Sequence, residues 1–313
     1  MNEDKKKYVI ITNRPILLIA NSSWYLHHYR SLLIKKISLN NKLFTMSPID
    51  KNSKELSESS IYIPLSIQRS DDLNPFSLIF SFLKILLIVR AIKPKLIHSH
   101  TLKSNLLAVV VSSLYGLPCV LSFAGMGRLS KSKGINLFLF KKILYFIYNF
   151  SIRKRDSRWT MKKTSIRSFF IFQNPIDLEI FKKYIPNNAS YNHQIIPGSG
   201  VPSKYLLKKN SNKNKWLEKV IDQELNYKKI TFIYCGRLLK SKGIYIFLDL
   251  LKEYSSSKGL VFGDIDPSSK DSLSLENLDD FSKTLNNVTF HGNIQDPLLN
   301  VKDNFPILIV PSD

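Results

Sequence analysis

Short β-type runs alternate with helical stretches along almost the whole chain, and this alternation constrains the fold more than any other feature. In the first two thirds, the predicted strands cover residues 15–20, 42–46, 61–65, 95–100, 118–123, 168–174 and 193–198. Helices are predicted near 24–37, 75–92, 103–115, 136–150 and 175–184. Strands that alternate with helices are typical of a doubly wound parallel sheet, so we expect an α/β protein.

The alternation restarts after a polar stretch, KKNSNKNK at 208–215, which has the composition of an interdomain linker. Since single cores usually stop growing at about 250–300 residues, we expect two domains, 1–207 and 208–313. Four strands are predicted in the second domain, at 228–236, 259–264, 287–292 and 305–312. The last of these is not followed by a helix to cover it, so we expect an incomplete second domain.

The formal net charge of +22 is concentrated in the first domain. Residues 1–200 carry +20, whereas residues 201–313 carry only +2, which predicts that the first domain faces an anionic partner. The segments 135–155 and 76–94 are rich in aromatic and basic residues, as are helices that lie on anionic membranes. The alternative is that both are core helices with a solvated basic edge. Nucleic acid is a third possibility, but no recognition motif for it is visible.

Membrane-spanning and secretory segments are not expected. The N-terminus lacks the layout of a signal peptide. Lys84 and Arg90 interrupt the apolar run at 76–94, which predicts that it does not span a bilayer. Cys119 and Cys235 both lie in apolar β-type runs, so we expect reduced core thiols and a cytoplasmic protein.

The sequence CGRLLKSKGIYIFLDLL at 235–251 is the most specific local signal for chemistry. A buried strand is predicted to end at Gly236, and a helix to begin near Ser241. Helix N-termini that follow strands attract anions, and Arg237 and Lys242 add two cations, which suits a diphosphate. The alternative is that these side chains are merely solvated.

Further motifs surround this loop: IIPGSGV at 195–201, FGDIDPSSKDS at 262–272, VTFHGNIQD at 288–296 and ILIVPSD at 307–313. Together they resemble family 4 of the retaining GT-B glycosyltransferases, with its G-R-L-x-x-x-K-G loop, G-D turn, H-G turn and P-S strand end. In the first domain, residues 21–37 resemble the family's N-x-x-W-F-F-x-S-H-R stretch, and residues 93–128 its P-D-(V/I)-(I/V)-H-x-H-T unit.

The resemblance implies two Rossmann-like domains that face a cleft, a donor held by the second domain and an acceptor held by the first. It implies transfer with retention and without a metal or other cofactor. On the family pattern, Arg237 and Lys242 are the catalytic cations that bind the donor phosphates. The predicted donor side also includes Gly236, Ser199, Gly200 and Asp264, and the predicted acceptor side His100, Thr101, Gly125 and Gly127.

These assignments have alternatives and departures from the pattern. The alternative interpretation of Ser199–Gly200 is a plain tight turn. The alternative for Asp264 is that it caps a helix or the following loop. His98 and His100 share one face of a strand, but the residues beside them do not suggest a metal site. Ala124 and Tyr29 replace histidines of the family pattern, and its E-x7-E motif is absent. We therefore expect a truncated enzyme.

The leading expectation is a hexosyl- or N-acetylhexosaminyltransferase that uses a UDP-sugar. Its acceptor would be a lipid-linked or surface-polysaccharide precursor of the cell envelope, and it would sit peripherally on the inner face of the cell membrane. The alternatives are an inactive, shortened glycosyltransferase that keeps acceptor or membrane binding, and a basic nucleic-acid-binding protein.

Overall fold

The computed structural model describes residues 13–67, 75–126, 130, 133–152, 168–198, 230–267, 269, 271–294, 297, 301 and 305–311. The chain forms two compact units, Met1–Pro202 and Ser203–Asp313. The predicted boundary at 207/208 and the predicted linker at 208–215 lie outside the described residues.

Seven parallel strands form the sheet of the first unit, in the order β3-β2-β1-β4-β5-β6-β7. The strands are β1 (Pro15–Ile19), β2 (Lys42–Ser47), β3 (Ile61–Pro64), β4 (Leu96–His100), β5 (Cys119–Phe123), β6 (Phe169–Phe172) and β7 (Asn192–Ile195). In the centre, Leu17 of β1 pairs with Phe44 of β2 on one side and Ile97 of β4 on the other. The doubly wound parallel sheet predicted from the alternation is confirmed.

The described residues of the first unit form six helices: α1 (Ser23–Ser38), α2 (Ser53–Ser59), α3 (Pro75–Ile92), α4 (Leu102–Tyr115), α5 (Gly134–Ser151) and α6 (Pro175–Lys183). Side-chain N-caps begin α1 and α6. The Ser22 side chain accepts a hydrogen bond from the Tyr25 N–H, and the Asn174 side chain accepts one from the Asp177 N–H. The sequence analysis missed α2, a seven-residue helix rich in serine whose buried residue is Leu56.

Two layers of apolar side chains cover the sheet of the first unit. On one side, Leu26 and Ile34 of α1 pack with Leu56 of α2 against β1 and β2. The other layer contains side chains of α3, α4, α5 and α6, among them Ile85 and Phe140. The helices thus lie on both faces of the sheet, as a parallel sheet requires.

The second unit has four parallel strands in the order β10-β9-β8-β11. They are β8 (Ile230–Cys235), β9 (Lys258–Phe262), β10 (Val288–Phe290) and β11 (Phe305–Ile309). A 3₁₀ turn (Lys240–Lys242) and α7 (Ile244–Glu253) follow β8, and α8 (Leu275–Thr284) follows β9. Phe247, Leu248 and Leu251 of α7 are fully buried in the core of this unit.

The strand order of each sheet reverses direction at one point. The reversal lies between β1 and β4 in the first unit and between β8 and β11 in the second. In open parallel sheets, ligands bind at the carboxyl ends of the strands beside such a reversal. Each unit therefore has one edge position where a site is expected.

Candidate functional site

The turns after β8, β9, β10 and β11 share one edge of the second sheet, because the four strands are parallel. Gly236 and Arg237 directly follow β8, and Pro311 comes shortly after β11. The reversal of strand order lies between these two strands. The predicted donor residues Gly236 and Arg237 thus occupy the position in this unit that favours ligand binding.

Two glycines allow the turns of this edge to approach each other closely. Gly243 has φ +70, and a Cβ there would lie 2.7 Å from the carbonyl carbon of Pro311. Gly263 has φ +144, and a Cβ there would overlap the carbonyl oxygen of Gly236. A side chain at either position would push into fixed backbone, so both positions require glycine.

Arg237 and Lys242 are both at the surface. The Arg237 guanidinium, 42% exposed, donates to the Asp266 carboxylate at 2.6 Å. Its backbone carbonyl accepts from the Tyr234 hydroxyl at 2.7 Å, which fixes the main chain. Lys242 is exposed at the end of the 3₁₀ turn, and within the described ranges its ammonium group forms no ion pair. Both cations are accessible to an anion.

The helix after β8 begins later than the sequence analysis predicted. α7 starts at Ile244 rather than near Ser241, because the chain first makes a 3₁₀ turn and then a left-handed step at Gly243. The Ser241 N–H donates to the Asp271 carboxylate at 3.0 Å, and the Ser241 hydroxyl also bonds to it. The backbone donor expected to meet a phosphate near Ser241 is thus already satisfied.

Asp264 joins the turns after β9 and β10. Its carboxylate accepts from the Asn293 N–H at 3.0 Å, and its backbone carbonyl accepts from the Leu238 N–H at 3.1 Å. The His291 ring stacks on Phe262, with ring centroids 4.9 Å apart. Asp264 therefore has a structural contact, while its role in donor binding stays a prediction.

Three residues predicted for the site lie outside the described part of the chain. They are Ser199 and Gly200 on the donor side and Gly127 on the acceptor side.

The corresponding edge of the first unit holds two neighbouring histidines. The His98 and His100 rings lie 4.3 Å apart, as expected for side chains on one face of β4. His98 Nε2 bonds to the Ser122 hydroxyl at 2.8 Å. The ring of Tyr25, from α1, lies 5.7 Å from that of His100, and Arg30 Nε donates to the Tyr25 hydroxyl at 3.0 Å. Residues from α1 and β4 thus meet at the reversal point.

Both imidazoles are neutral at pH 7. Burial, and then the Arg30 guanidinium, lowers the pKa of His98 to about 3. Burial, followed by His98 and Arg30, lowers the pKa of His100 well below its usual value. The two rings can therefore accept and donate hydrogen bonds without adding charge to this edge.

Buried polar atoms without a hydrogen-bond partner cluster at the same edge. They include both ring nitrogens of His100 and the hydroxyl oxygen of Thr101. Thr101 has φ +76, an uncommon conformation for a β-branched residue. Backbone strain and unpaired buried polar groups are features that accumulate at functional sites. The two residues predicted for the acceptor side are thus unusual in geometry and bonding.

Gly125 forms a second part of this edge, after β5. It has φ +91, and apart from its chain neighbours no atom of the described residues lies within 4 Å of where its Cβ would be. The buried Asp177 carboxylate accepts from the neighbouring Met126 N–H at 3.1 Å and from the Asn174 amide at 2.8 Å. Desolvation by burial raises the pKa of Asp177. This carboxylate thus fixes the turn at Gly125 and Met126.

One expectation about another residue was wrong. Cys119 is buried, but Cys235 is exposed at the carboxyl end of β8 and is not a core thiol. The helix α3 is, by length and composition alone, apolar enough to cross a membrane. That Lys84 and Arg90 keep it from spanning a bilayer stays a prediction. Among the described residues, no group of three or more His, Cys, Asp or Glu side chains could hold a metal ion.

Sequence reasoning missed several residues that shape the two edges. Asp266 and Asp271, which bond to Arg237 and Ser241, lie in the motif at 262–272, in which only Asp264 was singled out. Asp177 and Tyr25 were not singled out. The aspartate that follows N-P-I in the α6 start is a capping pattern and could have drawn attention to Asp177. The other contacts join distant parts of the chain and leave no local signal.

Comparisons with known proteins give a family match for part of the chain and structural matches for nearly all of it. Residues 15–156 match the family described as glycosyl transferase 4-like. No curated protein matches the chain.

Solved structures resemble the whole chain. A sucrose-phosphate synthase from Thermosynechococcus elongatus is 15% identical, with a TM-score of 0.65 over 96% of this chain and 76% of that one. A glycosyltransferase from Rickettsia africae is also 15% identical, with a TM-score of 0.60 over 96% and 73%. HepE from Anabaena, in complex with UDP-glucose, is 16% identical, with a TM-score of 0.59 over 91% and 70%.

At these identities the solved structures establish the fold, and the family match covers residues 15–156, which is less than half of the chain. UDP-N-acetylglucosamine 2-epimerases share the fold as well, so the fold by itself does not fix the reaction. The chain has the fold of the GT-B glycosyltransferases, and its residues 15–156 match the glycosyl transferase 4-like family.

Proposed function

We propose that the chain transfers a sugar, with retention, from a UDP-sugar to a lipid-linked or surface-polysaccharide precursor. The observation that carries this proposal is the pair of accessible cations, Arg237 and Lys242, beside the strand reversal of the second sheet. Similar structures support the choice of nucleotide, since HepE from Anabaena was solved with UDP and with UDP-glucose.

The chemistry requires positive charge at this place. When the bond between the anomeric carbon and the donor's diphosphate breaks, negative charge builds up on the departing UDP. Cations already held in place stabilise that charge more than they stabilise the intact donor, and this difference lowers the barrier. Loss of one such group costs about 10²–10³ in rate. Arg237 and Lys242 are the groups that we assign to this role.

Asp266 is a competing anion for one of these cations. Its carboxylate is 2.6 Å from the Arg237 guanidinium. The ion pair is partly exposed, so its net contribution is about 0–1 kcal/mol and it can rearrange easily. A guanidinium has five N–H donors, so Arg237 can turn toward a diphosphate without leaving Asp266 unpaired. We therefore assign Asp266 the role of a competing anion, which pairs with the Arg237 guanidinium in the absence of donor.

The acceptor side of the proposal rests on the first unit. His100, Thr101 and Gly125 lie at the carboxyl edge of its sheet, where unpaired polar atoms cluster. Neutral imidazoles can bond to sugar hydroxyls, which are uncharged. The expected location is the inner face of the cell membrane, where a lipid-linked acceptor would be available.

Binding of nucleotides to the purified full-length chain tests the donor part of the proposal. We expect UDP to bind in isothermal titration calorimetry, and Arg237→Ala and Lys242→Ala each to weaken binding at least tenfold. Lys240→Ala is the matched control, because Lys240 is exposed in the same turn and its ammonium lies 5.8 Å from the centre of the Tyr245 ring. Equal affinity for UDP in all three variants would show that Arg237 and Lys242 do not bind the donor.

Sugar transfer itself is tested with a panel of UDP-sugars and lipid extracts as acceptors. The product's anomeric configuration, read by NMR coupling constants, tests retention. An inverted product would contradict the proposed stereochemistry while leaving donor binding intact.

A further inference from the structure

The outer faces of α3 and α5 expose an unusual amount of apolar surface for a folded unit. Phe76 is 71% exposed, Phe80 65% and Leu87 66%, all on α3. On α5, Ile135 is 68% and Phe138 52% exposed. Contiguous apolar patches of this kind mark interaction surfaces, whereas single exposed apolar residues are normal.

The exposed residues follow the helical repeat and form stripes. On α3 the stripe consists of Phe76, Phe80, Leu83 and Leu87, with Ile79 exposed beside it and Arg90 one further turn along. Their spacing of four, three and four residues keeps them on one side of a helix. The opposite side of α3 is fixed in the core by the buried residues Ser81, Ile85 and Val89. This helix is therefore held against the sheet layer along its length, with an apolar stripe facing outward.

α5 repeats the arrangement. Ile135, Phe138, Lys142 and Tyr145 are exposed at spacings of three, four and three residues. Phe140, Leu144 and Ile147 are fully buried on the other side of α5. Both helices contribute to the same core layer as α4, which contacts each of them. The stripes of α3 and α5 thus belong to the same side of the sheet.

The stretch of sequence that contains both stripes carries positive charge only. Residues 73–155 contain 13 Lys and Arg and no Asp or Glu. Lys142 lies within the α5 stripe, with its ammonium group 5.4 Å from the centre of the Phe138 ring. Lys84 lies beside the α3 stripe, between Phe80 and Leu87. A protein surface with these cations at its apolar stripes complements a partner that is both apolar and anionic.

We propose that the outer faces of α3 and α5 together form a docking surface for an anionic lipid bilayer. The two helices lie flat in the headgroup region, their aromatic and aliphatic side chains enter the acyl boundary, and their cations contact acidic headgroups. Helices that lie in the membrane interface are recognised by exposed apolar side chains together with neighbouring cations. The inference goes beyond sugar transfer, because docking requires neither the donor nor the acceptor.

Vesicle flotation of the full-length chain, without any nucleotide sugar, tests the inference. We expect binding to vesicles of phosphatidylcholine with phosphatidylglycerol, and much weaker binding to phosphatidylcholine alone. Lys141→Gln/Lys142→Gln should weaken binding to the acidic vesicles roughly 25-fold, since each cation near the surface contributes about fivefold. The matched control is Lys35→Gln/Lys36→Gln, an exposed lysine pair in the last turn of α1, on the other side of the sheet.

The apolar contribution is tested by Phe80→Ser/Leu83→Ser/Leu87→Ser, which should reduce binding at least tenfold. Leu32→Ser/Leu39→Ser/Leu275→Ser is the control, because these leucines are equally exposed but lie elsewhere. Thermal denaturation of each variant confirms that it is folded.

Two results would overturn the inference. One is binding to acidic vesicles that the α3 and α5 variants do not weaken. The other is a wild-type dimer, in analytical ultracentrifugation, that the α3 variant converts to a monomer, because the stripe would then bind a second copy. Neither result bears on UDP binding, so failure of docking and failure of sugar transfer are distinguishable.

Discussion

Gly263 offers a sharp test of how the donor edge is built. The turn that it occupies crosses the end of β8 so closely that a Cβ at Gly263 would overlap the Gly236 carbonyl oxygen and lie 2.7 Å from its carbon. Its φ of +144 is also a conformation that residues with side chains rarely adopt. Gly263→Ala should therefore destabilise the second unit in two ways, by steric overlap and by backbone strain.

The magnitude follows from these two terms. A residue held in a sparsely populated backbone region costs about 1–3 kcal/mol. Overpacking against fixed surroundings costs about 1–3 kcal/mol, and occasionally more. The Gly236 backbone resists displacement, because its N–H donates to the Phe262 carbonyl at 2.9 Å. We expect a loss of about 4 kcal/mol in the stability of the second unit, which is a factor of about 10³ in its opening equilibrium.

Hydrogen exchange measures this loss within the second unit. Amides of β8 and β9 should exchange about 10³ times faster in Gly263→Ala, while those of β1 and β4 should keep their rates. Gly236→Ala is the control, because it lacks a positive φ and its Cβ would meet only the Tyr234 ring, at 3.7 Å or more. Unchanged exchange in Gly263→Ala would refute the close crossing and, with it, the geometry that places Arg237.

Two further predictions concern single side chains. The lowered pKa of His98, about 3, means that below pH 6.5 the unfolded chain binds a proton there that the folded chain does not. The contribution of His98 to stability should thus be full above pH 6.5 and fall by about 1.4 kcal/mol per pH unit toward pH 3. In urea titrations between pH 6.5 and 5, the free energy of unfolding of His98→Gln should change less with pH than that of the wild type. An equal change with pH would contradict the burial argument. Asp266→Asn removes the carboxylate that pairs with Arg237. In calorimetry UDP should therefore bind this variant more tightly, while its stability changes by less than about 1 kcal/mol. Weaker UDP binding would show instead that Asp266 is needed to orient the guanidinium.

Much of the fold could be predicted because its signals are local. Strand β1 was predicted at 15–20 and observed at Pro15–Ile19, and α3 was predicted at 75–92 and observed at Pro75–Ile92. Both are apolar runs whose length and flanks separate strand from helix. The short helix α2 was missed because its sequence, SKELSES, has a single buried residue and no apolar period.

The details of the site were harder to predict, since they depend on contacts between distant segments. Nothing near Ser241 indicates that Asp271 will bond to its N–H, so the helix start was placed too early. Cys235 was assigned to the core because its run is apolar, yet the strand ends there and leaves the thiol exposed. A sequence pattern assigns a residue to an element, but its position relative to the sheet edge decides its exposure.

The net charge alone does not distinguish the proposed donor site from the proposed docking surface, but the distribution of charge along the chain does. At the reversal point of the first sheet, His98 and His100 are neutral because burial lowers the pKa of each. The reversal point of the second sheet instead presents Arg237 and Lys242 at the surface, although this part of the sequence is almost neutral. Near neutrality there comes from balanced charges, so the position of Arg237 and Lys242, and not the net charge, supports the proposed diphosphate site. The large positive excess of the first unit includes the cations of α3 and α5, which we assign to the proposed docking surface. High salt should thus weaken vesicle docking far more than UDP binding, because docking sums many exposed cations whereas the donor site needs two.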